Sequence, residues 1–150
     1  GIQRRFEILH QSDSLTIVDD YGHHPAEIQA TLETAKTVWP NRRLVVVFQP
    51  HRFSRTQHLL ESFYSSFNDA DQLVLLDIYA AGEKSIEGIH SRKIAQGVRE
   101  FGHKHVDLLE SIDSVIPHLK NSLQPGDVVL TLGAGNIGEL AHKLAAQFHD

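Results

Sequence analysis

Strand-like runs alternate with segments of helical periodicity along most of the chain, and this alternation constrains the fold more than any other feature of the sequence. The runs lie at 44–48, 73–76, 106–109 and 127–132. Nearly continuous apolar runs are typical of strands that are covered on both faces. Strands that alternate with helices form parallel sheets through right-handed crossovers. We therefore predict an α/β fold, a Rossmann-like three-layer domain with a mostly parallel sheet of about six strands and about five helices.

The start of the chain departs from this alternation. Two β-type runs, at 6–11 and 15–18, flank a short polar turn, which predicts an antiparallel hairpin strand at the N-terminal side of the sheet. Pro25 is expected in the first turn of the first helix, whose buried face would include Val38 or Trp39.

Further helix boundaries follow from the positions of capping and turn residues. Ser54 or Thr56 is expected to start the second helix. Phe101 is expected to face inward from the third helix, in register with the apolar positions before it. The glycine-rich turn at 133–135 is expected to open the last helix.

The composition excludes several classes of protein. The 150 residues make one domain, with 41% apolar and 22% charged residues and a net charge of −5. Without a cluster of Lys and Arg, binding to nucleic acid is not expected. The sequence has no apolar run of the ~20 residues that span a bilayer, so membrane insertion is not expected. It has no cysteine and no methionine, which we interpret as a cytoplasmic domain cut from a longer protein.

Two predicted strands are followed directly by polar clusters. The run that ends at residue 18 is followed by residues 19–25, which contain two aspartates, a tyrosine and two histidines. The run at 44–48 is followed by residues 49–55, which contain a histidine and two arginines. In open α/β sheets, ligands bind in the crevice outside the carboxyl ends of the strands. The two clusters should therefore face each other across that crevice.

Arg52 and Arg55 are three residues apart at an expected helix start. If both are helical, they share a face and can grip one carboxylate or phosphate. Cations at a helix N-terminus oppose the helix dipole, and a bound anion would reverse that cost. This spacing favours an anion site over two solvated arginines.

Two other motifs admit more than one interpretation. Residues 133–138 read GAGNIG, which matches the dinucleotide pattern, but no βαβ unit with an acidic residue follows it. A tight turn or a phosphate or substrate contact therefore competes with a nucleotide site. Asp19, Asp20, His23 and His24 are potential metal ligands, yet adjacent residues on a strand point to opposite faces, so no metal site is predicted.

Four strings of the sequence resemble the C-terminal domain of the Mur ligase family. They are DYGHHP at 20–25, QPHRFSR at 49–55, YAAGE at 79–83 and GAGNI at 133–137. The resemblance covers essentially all of residues 1–150 and implies the third, Rossmann-like domain of a three-domain enzyme. In that family one domain holds the UDP-sugar, and the central domain holds ATP and Mg²⁺.

The resemblance implies a cytoplasmic step of peptidoglycan synthesis in which L-alanine is joined to UDP-N-acetylmuramate while ATP is hydrolysed to ADP and phosphate. The carboxylate of the sugar would attack ATP to give an acyl phosphate, and the amine of alanine would then attack that carbonyl. The N-terminal and central domains would be partners within the same chain. The isolated domain is expected to be inactive.

Individual residues carry implied roles. Asp20 matches the family's aspartate that approaches the ATP ribose. Tyr21, His23, Arg52, Arg55 and the backbone at Ala134 match positions around the amino acid and the sugar-nucleotide carboxylate. His24 and His51 are adjacent candidates for substrate binding, and His23 is also a candidate for removing the amine proton.

Three alternatives remain open from the sequence. One is a related ligase that adds a preformed peptide to UDP-N-acetylmuramate. A second is a free-standing nucleotide-binding module that uses the glycine turn at 133–138. The third is a metal hydrolase built on the aspartates and histidines of 19–24.

Overall fold

Within residues 4–103 and 105–148, which a computed structural model describes, the chain forms one sheet of six strands and six α-helices. The strand order across the sheet is β1-β2-β6-β3-β4-β5. The strands are β1 (Glu7–Gln11), β2 (Leu15–Asp20), β3 (Leu44–Phe48), β4 (Gln72–Leu76), β5 (Val106–Leu109) and β6 (Asp127–Leu132). The helices are α1 (Pro25–Val38), α2 (Phe53–His58), α3 (Leu60–Tyr64), α4 (Ser91–Glu100), α5 (Val115–Ser122) and α6 (Ile137–Gln147).

The sheet has the predicted polarity. β1 pairs antiparallel with β2, and the pairs β2–β6, β6–β3, β3–β4 and β4–β5 are parallel. The hairpin carries a register shift between Ile8 and His10. The predicted mostly parallel α/β domain with an antiparallel N-terminal strand is confirmed.

Helices cover both faces of the sheet, which gives three layers. One apolar cluster joins residues of α1, α3 and α4, such as Leu32, Phe63 and Ile94, to Val46 and Phe48 of β3. The other joins residues of α5 and α6 to Val45 and Val47 of the same strand. Side chains alternate between the two clusters along β3 because successive strand residues point to opposite faces. The strand is therefore apolar at every position, as a strand covered on both sides requires.

The second predicted helix differs from the structure. It begins at Phe53 rather than at Ser54 or Thr56, and it breaks at Leu59 into α2 and α3. The backbone of Leu59 (φ −107°, ψ 13°) leaves the helical region, so this residue ends one helix and begins the next. This break accounts for one more helix than the sequence predicts.

Three other local predictions are settled by burial and capping. Trp39 is buried and Val38 is half exposed, so Trp39 supplies the inward side chain at the end of α1. The prediction that Phe101 faces inward is wrong, because α4 ends at Glu100 and Phe101 is 61% exposed. The last helix begins at Ile137 and not within the glycine turn that precedes it.

The register brings the carboxyl ends of three strands level with one another. Asp20 and Phe48 both lie beside Leu132 of β6. The helices that follow β2 and β3 pack on one face of the sheet, and the helix that follows β6 packs on the other. Such a reversal opens a crevice at the ends of the strands. No helix in the described part of the chain has the length and apolar character of a membrane span.

Helix α4 lies so close to α3 that one of its positions must be glycine. A Cβ on Gly97 would lie 2.1 Å from Cε1 of the Tyr64 ring. We therefore expect Gly97→Ala to lower the free energy of unfolding by about 1–3 kcal/mol, as overpacking does. In an open helix the same change would stabilise by ~1 kcal/mol. Urea unfolding measures the difference, with Gln96→Ala on the exposed side of α4 as the control. Equal or greater stability of the Gly97 variant would contradict this packing.

Candidate functional site

Four loops meet at the carboxyl ends of the central strands, and a row of rings runs across them. The Tyr21 and His23 rings meet edge to face with centroids 5.3 Å apart. The His23 and His51 centroids are 5.8 Å apart, and His51 stacks on Tyr79 at 5.7 Å with an interplanar angle of 18°. The row therefore brings the two polar clusters of the sequence together and adds Tyr79 from the loop after β4.

Arg52 has a strained backbone. Its φ of 73° and ψ of 140° place it outside the regions that L-residues usually adopt, at a cost of about 1–3 kcal/mol. Arg52 is the N-cap of α2, so it does not share a helical face with Arg55 as the spacing alone suggested. The Arg52 side chain is exposed at the end of β3 and remains available to a ligand.

Arg55 forms a hydrogen bond with His51, one of the rings of this row. The Nη1 of Arg55 lies 3.0 Å from Nδ1 of His51. A guanidinium only donates hydrogen bonds, so this Nδ1 must carry a lone pair and the proton of the neutral ring sits on Nε2. Burial, followed by the charges of Arg55, His23 and Arg52, lowers the pKa of His51 below its ordinary value. His51 is thus a neutral ring that accepts from Arg55 through Nδ1 and can donate through Nε2.

The two aspartates at the end of β2 have separate partners. Asp19 is fully buried, accepts hydrogen bonds from Nε and Nη2 of Arg4 at 2.8 and 3.2 Å, and accepts another from Thr131 at 2.7 Å. Asp20 is 4% exposed and accepts the backbone N–H groups of Phe6 and Gly22 at 2.8 and 2.7 Å. A carboxylate has further lone pairs, so a ribose contact by Asp20 stays a prediction.

His24 has a local structural role. It is the N-cap of α1, where its Nδ1 accepts the backbone N–H of Ala26 at 3.2 Å. Glu27 completes a capping box by accepting the backbone N–H of His24 at 3.1 Å. Burial raises the pKa of Glu27, but the hydrogen bonds from His24, His23 and Arg5 outweigh it and lower the pKa overall. Substrate binding by His24 remains a prediction beside this capping role.

The glycine turn after β6 packs tightly against the row of rings. A Cβ on Gly135 would lie 2.6 Å from Oε1 of Gln49 and 2.7 Å from Cγ of Tyr79. Gly133 has a φ of 147°, and its Cβ would lie 2.8 Å from the carbonyl oxygen of Gln49. Both glycines are needed for this close approach. Ala134 lies in this turn and is half exposed, and its contact with substrate stays a prediction.

Arg4 supports the site from behind, and sequence reasoning missed it. Its guanidinium pairs with Asp19, donates to the carbonyl of Gly133 at 2.9 Å and lies 5.5 Å from the centre of the Tyr21 ring. It thereby ties the loop after β2 to the glycine turn. No local pattern marks Arg4 in the sequence, because its partners are 15 and 129 positions away.

The clefts of the described part of the chain differ in where they lie in the fold. A cleft of about 430 Å³ lies at the amino ends of β3 and β4, and Arg42 and Arg43 line it. These arginines are engaged with the protein: Arg43 pairs with Asp127 at 2.8 Å, and Arg42 donates to the carbonyl of Gly126 at 2.7 Å. A smaller cleft of about 210 Å³ is lined by Gln49, Tyr79 and other residues at the carboxyl ends of the strands. Position in the fold therefore favours the smaller cleft.

The potential metal ligands do not converge. Among residues 4–103 and 105–148, no group of three or more His, Cys, Asp or Glu side chains could hold a metal ion. Asp19 is committed to Arg4 and Thr131, and His24 caps α1. The geometry therefore gives no support to a hydrolytic metal centre at 19–24.

Comparison with known proteins gives the family. Residues 4–135 match the model of the family described as the Mur ligase, glutamate ligase domain. The chain belongs to the Mur ligase family. This Mur ligase domain is 49% identical, over all 150 residues, to the UDP-N-acetylmuramate–L-alanine ligase of Geobacter sulfurreducens. It covers 32% of that relative, so the domain spans about a third of the length of the curated relatives that it matches.

Solved structures share the fold. The UDP-N-acetylmuramate–alanine ligase of Thermotoga maritima is 28% identical with a TM-score of 0.78, over 96% of this chain and 29% of that one. A murein peptide ligase from Psychrobacter arcticus has the same TM-score of 0.78 at 21% identity, over 96% of this chain and 29% of that one. The second likeness shows the fold alone.

The position of His51 predicts its titration. We expect an NMR midpoint below the ordinary 6.5, because burial and the Arg55 charge disfavour the imidazolium. Between the folded pKa and 6.5 the unfolded chain binds more protons. The contribution of His51 to the free energy of unfolding is therefore complete above pH 6.5. It decreases as the pH falls from 6.5 through the pKa of the folded state.

Arg55→Ala should raise the His51 midpoint, since it removes the second cause of the shift and leaves burial. Lys36→Ala removes one positive charge at the other edge of the sheet and serves as the matched control. A midpoint at or above 6.5 in the unchanged domain would contradict the neutral His51.

Proposed function

We propose that this Mur ligase domain is the C-terminal domain of an ATP-dependent ligase that joins L-alanine to UDP-N-acetylmuramate. The observation that carries the proposal is a likeness over the whole chain. Relatives named UDP-N-acetylmuramate–L-alanine ligase are 48–50% identical to it over 91–100% of its residues. Arg55 beside a neutral His51, together with the exposed Arg52, is a second, independent support.

The site suits the carboxylate of an amino acid. Arg52 is the N-cap of α2 and Arg55 lies within that helix, and guanidiniums bind carboxylates in a two-pronged manner. We propose that they hold the carboxylate of L-alanine and leave its amine free to react. His51 stays neutral beside Arg55 and adds a donor without a further charge. Tyr21 and the backbone at Ala134 would complete the surroundings of the amino acid and of the sugar-nucleotide carboxylate.

The proposed chemistry has two steps. An oxygen of the sugar-nucleotide carboxylate attacks the γ-phosphorus of ATP, and ADP leaves with the electrons of the broken P–O bond. The alanine nitrogen then attacks the acyl carbon, the C–O bond to phosphate breaks, and the amine loses a proton. The ring centroids of His23 and His51 are 5.8 Å apart, and His23 is the candidate to receive that proton. The domain contributes mainly by positioning the acceptor and its charge.

The remaining parts of the reaction belong to other domains in this proposal. The N-terminal domain would hold UDP-N-acetylmuramate, and the central domain would hold most of ATP with Mg²⁺. The described residues of this chain offer no group of metal ligands for Mg²⁺. Asp20 would reach the ATP ribose when the domains close, and closure would expel water from the acyl phosphate. We place the enzyme in the cytoplasm.

Steady-state ADP release tests the proposal in the longer enzyme that contains this domain. We expect release from Mg-ATP to require both UDP-N-acetylmuramate and L-alanine. Arg55→Ala should raise KM for L-alanine, because it removes a charged hydrogen bond to the substrate. The loss of binding free energy should be about 1.5–3 kcal/mol. Arg52→Ala should act in the same direction, and both should spare KM for ATP.

Arg92→Ala is the matched control, since Arg92 is an exposed arginine that begins another helix of the domain. Turnover that depends on a preformed peptide instead of L-alanine would replace the proposed acceptor. An unchanged KM in both site variants would refute the carboxylate grip.

A further inference from the structure

The loop after β4 folds back onto the start of α2. Its segment 79–83 turns through two left-handed residues, Ala81 with a φ of 52° and Gly82 with a φ of 85°. The N–H of Glu83 donates to the carbonyl of Ala80 at 3.1 Å and closes the turn. The turn directs the Glu83 side chain toward the helix that carries the site arginines.

Tyr79 holds the strained residue from one side. The N–H of Arg52 donates to the carbonyl of Tyr79 at 2.7 Å, and the N–H of Tyr79 donates to the carbonyl of Pro50 at 2.8 Å. These bonds form a parallel bridge between His51 and Tyr79, whose rings also stack. A strained backbone persists only where its surroundings determine it, and here the bridge fixes the Pro50 carbonyl and the Arg52 N–H on either side of His51.

Glu83 holds the first turn of α2, which directly follows the strained residue. Its Oε1 accepts the backbone N–H of Ser54 at 3.1 Å, and its Oε2 accepts the hydroxyl of Ser54 in a short bond. Hydrogen bonds from the Ser54 side chain and backbone lower the pKa of Glu83, so the carboxylate is charged at neutral pH. Helix α2 has no side-chain cap from its own N-cap residue, and Glu83 supplies one from 29 positions away.

We propose that Glu83 and Tyr79 are positioning residues: segment 79–83 holds the Arg52 backbone in its strained form and thereby aims the two arginines at the acceptor carboxylate. This rests on the proposed function and extends it to the loop that follows β4. The Tyr79 ring also packs against Gly135, so the same loop sets the distance between the arginines and the glycine turn.

The first test needs no substrate. Amide hydrogen exchange by NMR on the 150-residue chain reports the Arg52 N–H directly. We expect Glu83→Ala to speed exchange at Arg52 about tenfold, because the segment opens locally. The N–H of Ile28, bonded to His24 at 2.9 Å, is the internal reference and should not change. Glu83→Gln keeps one acceptor for Ser54 and should give an intermediate rate.

The second test measures kinetics in the longer enzyme. Glu83→Ala should raise KM for L-alanine about tenfold and leave KM for ATP unchanged, whereas loss of fold would affect both. Glu87→Ala removes the same charge from an exposed position of the same loop and should match the unchanged enzyme.

Arg52 exchange that is unchanged in Glu83→Ala overturns the positioning role, as does an equal effect of Glu83→Ala and Glu87→Ala on KM. A rise in both KM values together overturns it as well, because that pattern indicates a general loss of structure. If the unchanged enzyme shows no turnover that depends on L-alanine, the proposed function fails, and the exchange comparison alone decides the positioning role.

Discussion

Insertion of β6 between β2 and β3 is the constraint on which the site depends. Parallel pairing sets Asp20, Leu132 and Phe48 side by side, so three loops leave the sheet at one level. A shift of one residue in either pair would turn every side chain of a strand to the other face. The apolar clusters on both faces oppose such a shift, because each needs alternate residues of β3 and β6. The core therefore fixes the geometry of the site.

The polar groups above this edge are held by bonds to the protein before any ligand arrives. Asp19 is satisfied by Arg4 and Thr131, and Gln49 donates to Asn136 at 2.7 Å and accepts the N–H of Ile137 at 3.3 Å. Buried polar groups left without partners would cost more than the bonds contribute. The exposed Arg52 is therefore surrounded by groups that the protein already holds in place. Precise placement of a small acceptor requires such an arrangement.

Much of the fold could be predicted from the sequence because its signals are periodic and local. The apolar runs gave the parallel strands, and the polar clusters after two of them gave the crevice and its charge. The strained backbone of Arg52 could not be predicted, since the residues that bond there lie in a distant loop: Tyr79 accepts the N–H of Arg52, and Glu83 accepts the N–H of Ser54. The spacing of the two arginines predicts a shared helical face, which is wrong because the strained Arg52 lies outside helical geometry.

Two other features depend on contacts that leave no local pattern. Arg4 reaches partners far along the chain, and nothing near it in sequence indicates them. The exposure of Phe101 follows from the end of α4 at Glu100, one position before the apolar periodicity would place it. In the first case the sequence offered no prediction, and in the second the end of the helix overrode the apolar periodicity.

The central claim is that the guanidiniums after β3 hold the acceptor carboxylate at this edge of the sheet. A crystal structure of the longer enzyme with L-alanine, UDP-N-acetylmuramate and a non-hydrolysable ATP analogue tests it most directly. We expect the alanine carboxylate about 2.7–2.9 Å from the nitrogens of Arg52 and Arg55, the distance of a charged hydrogen bond. A carboxylate bound away from both arginines, with their side chains in solvent, would contradict it.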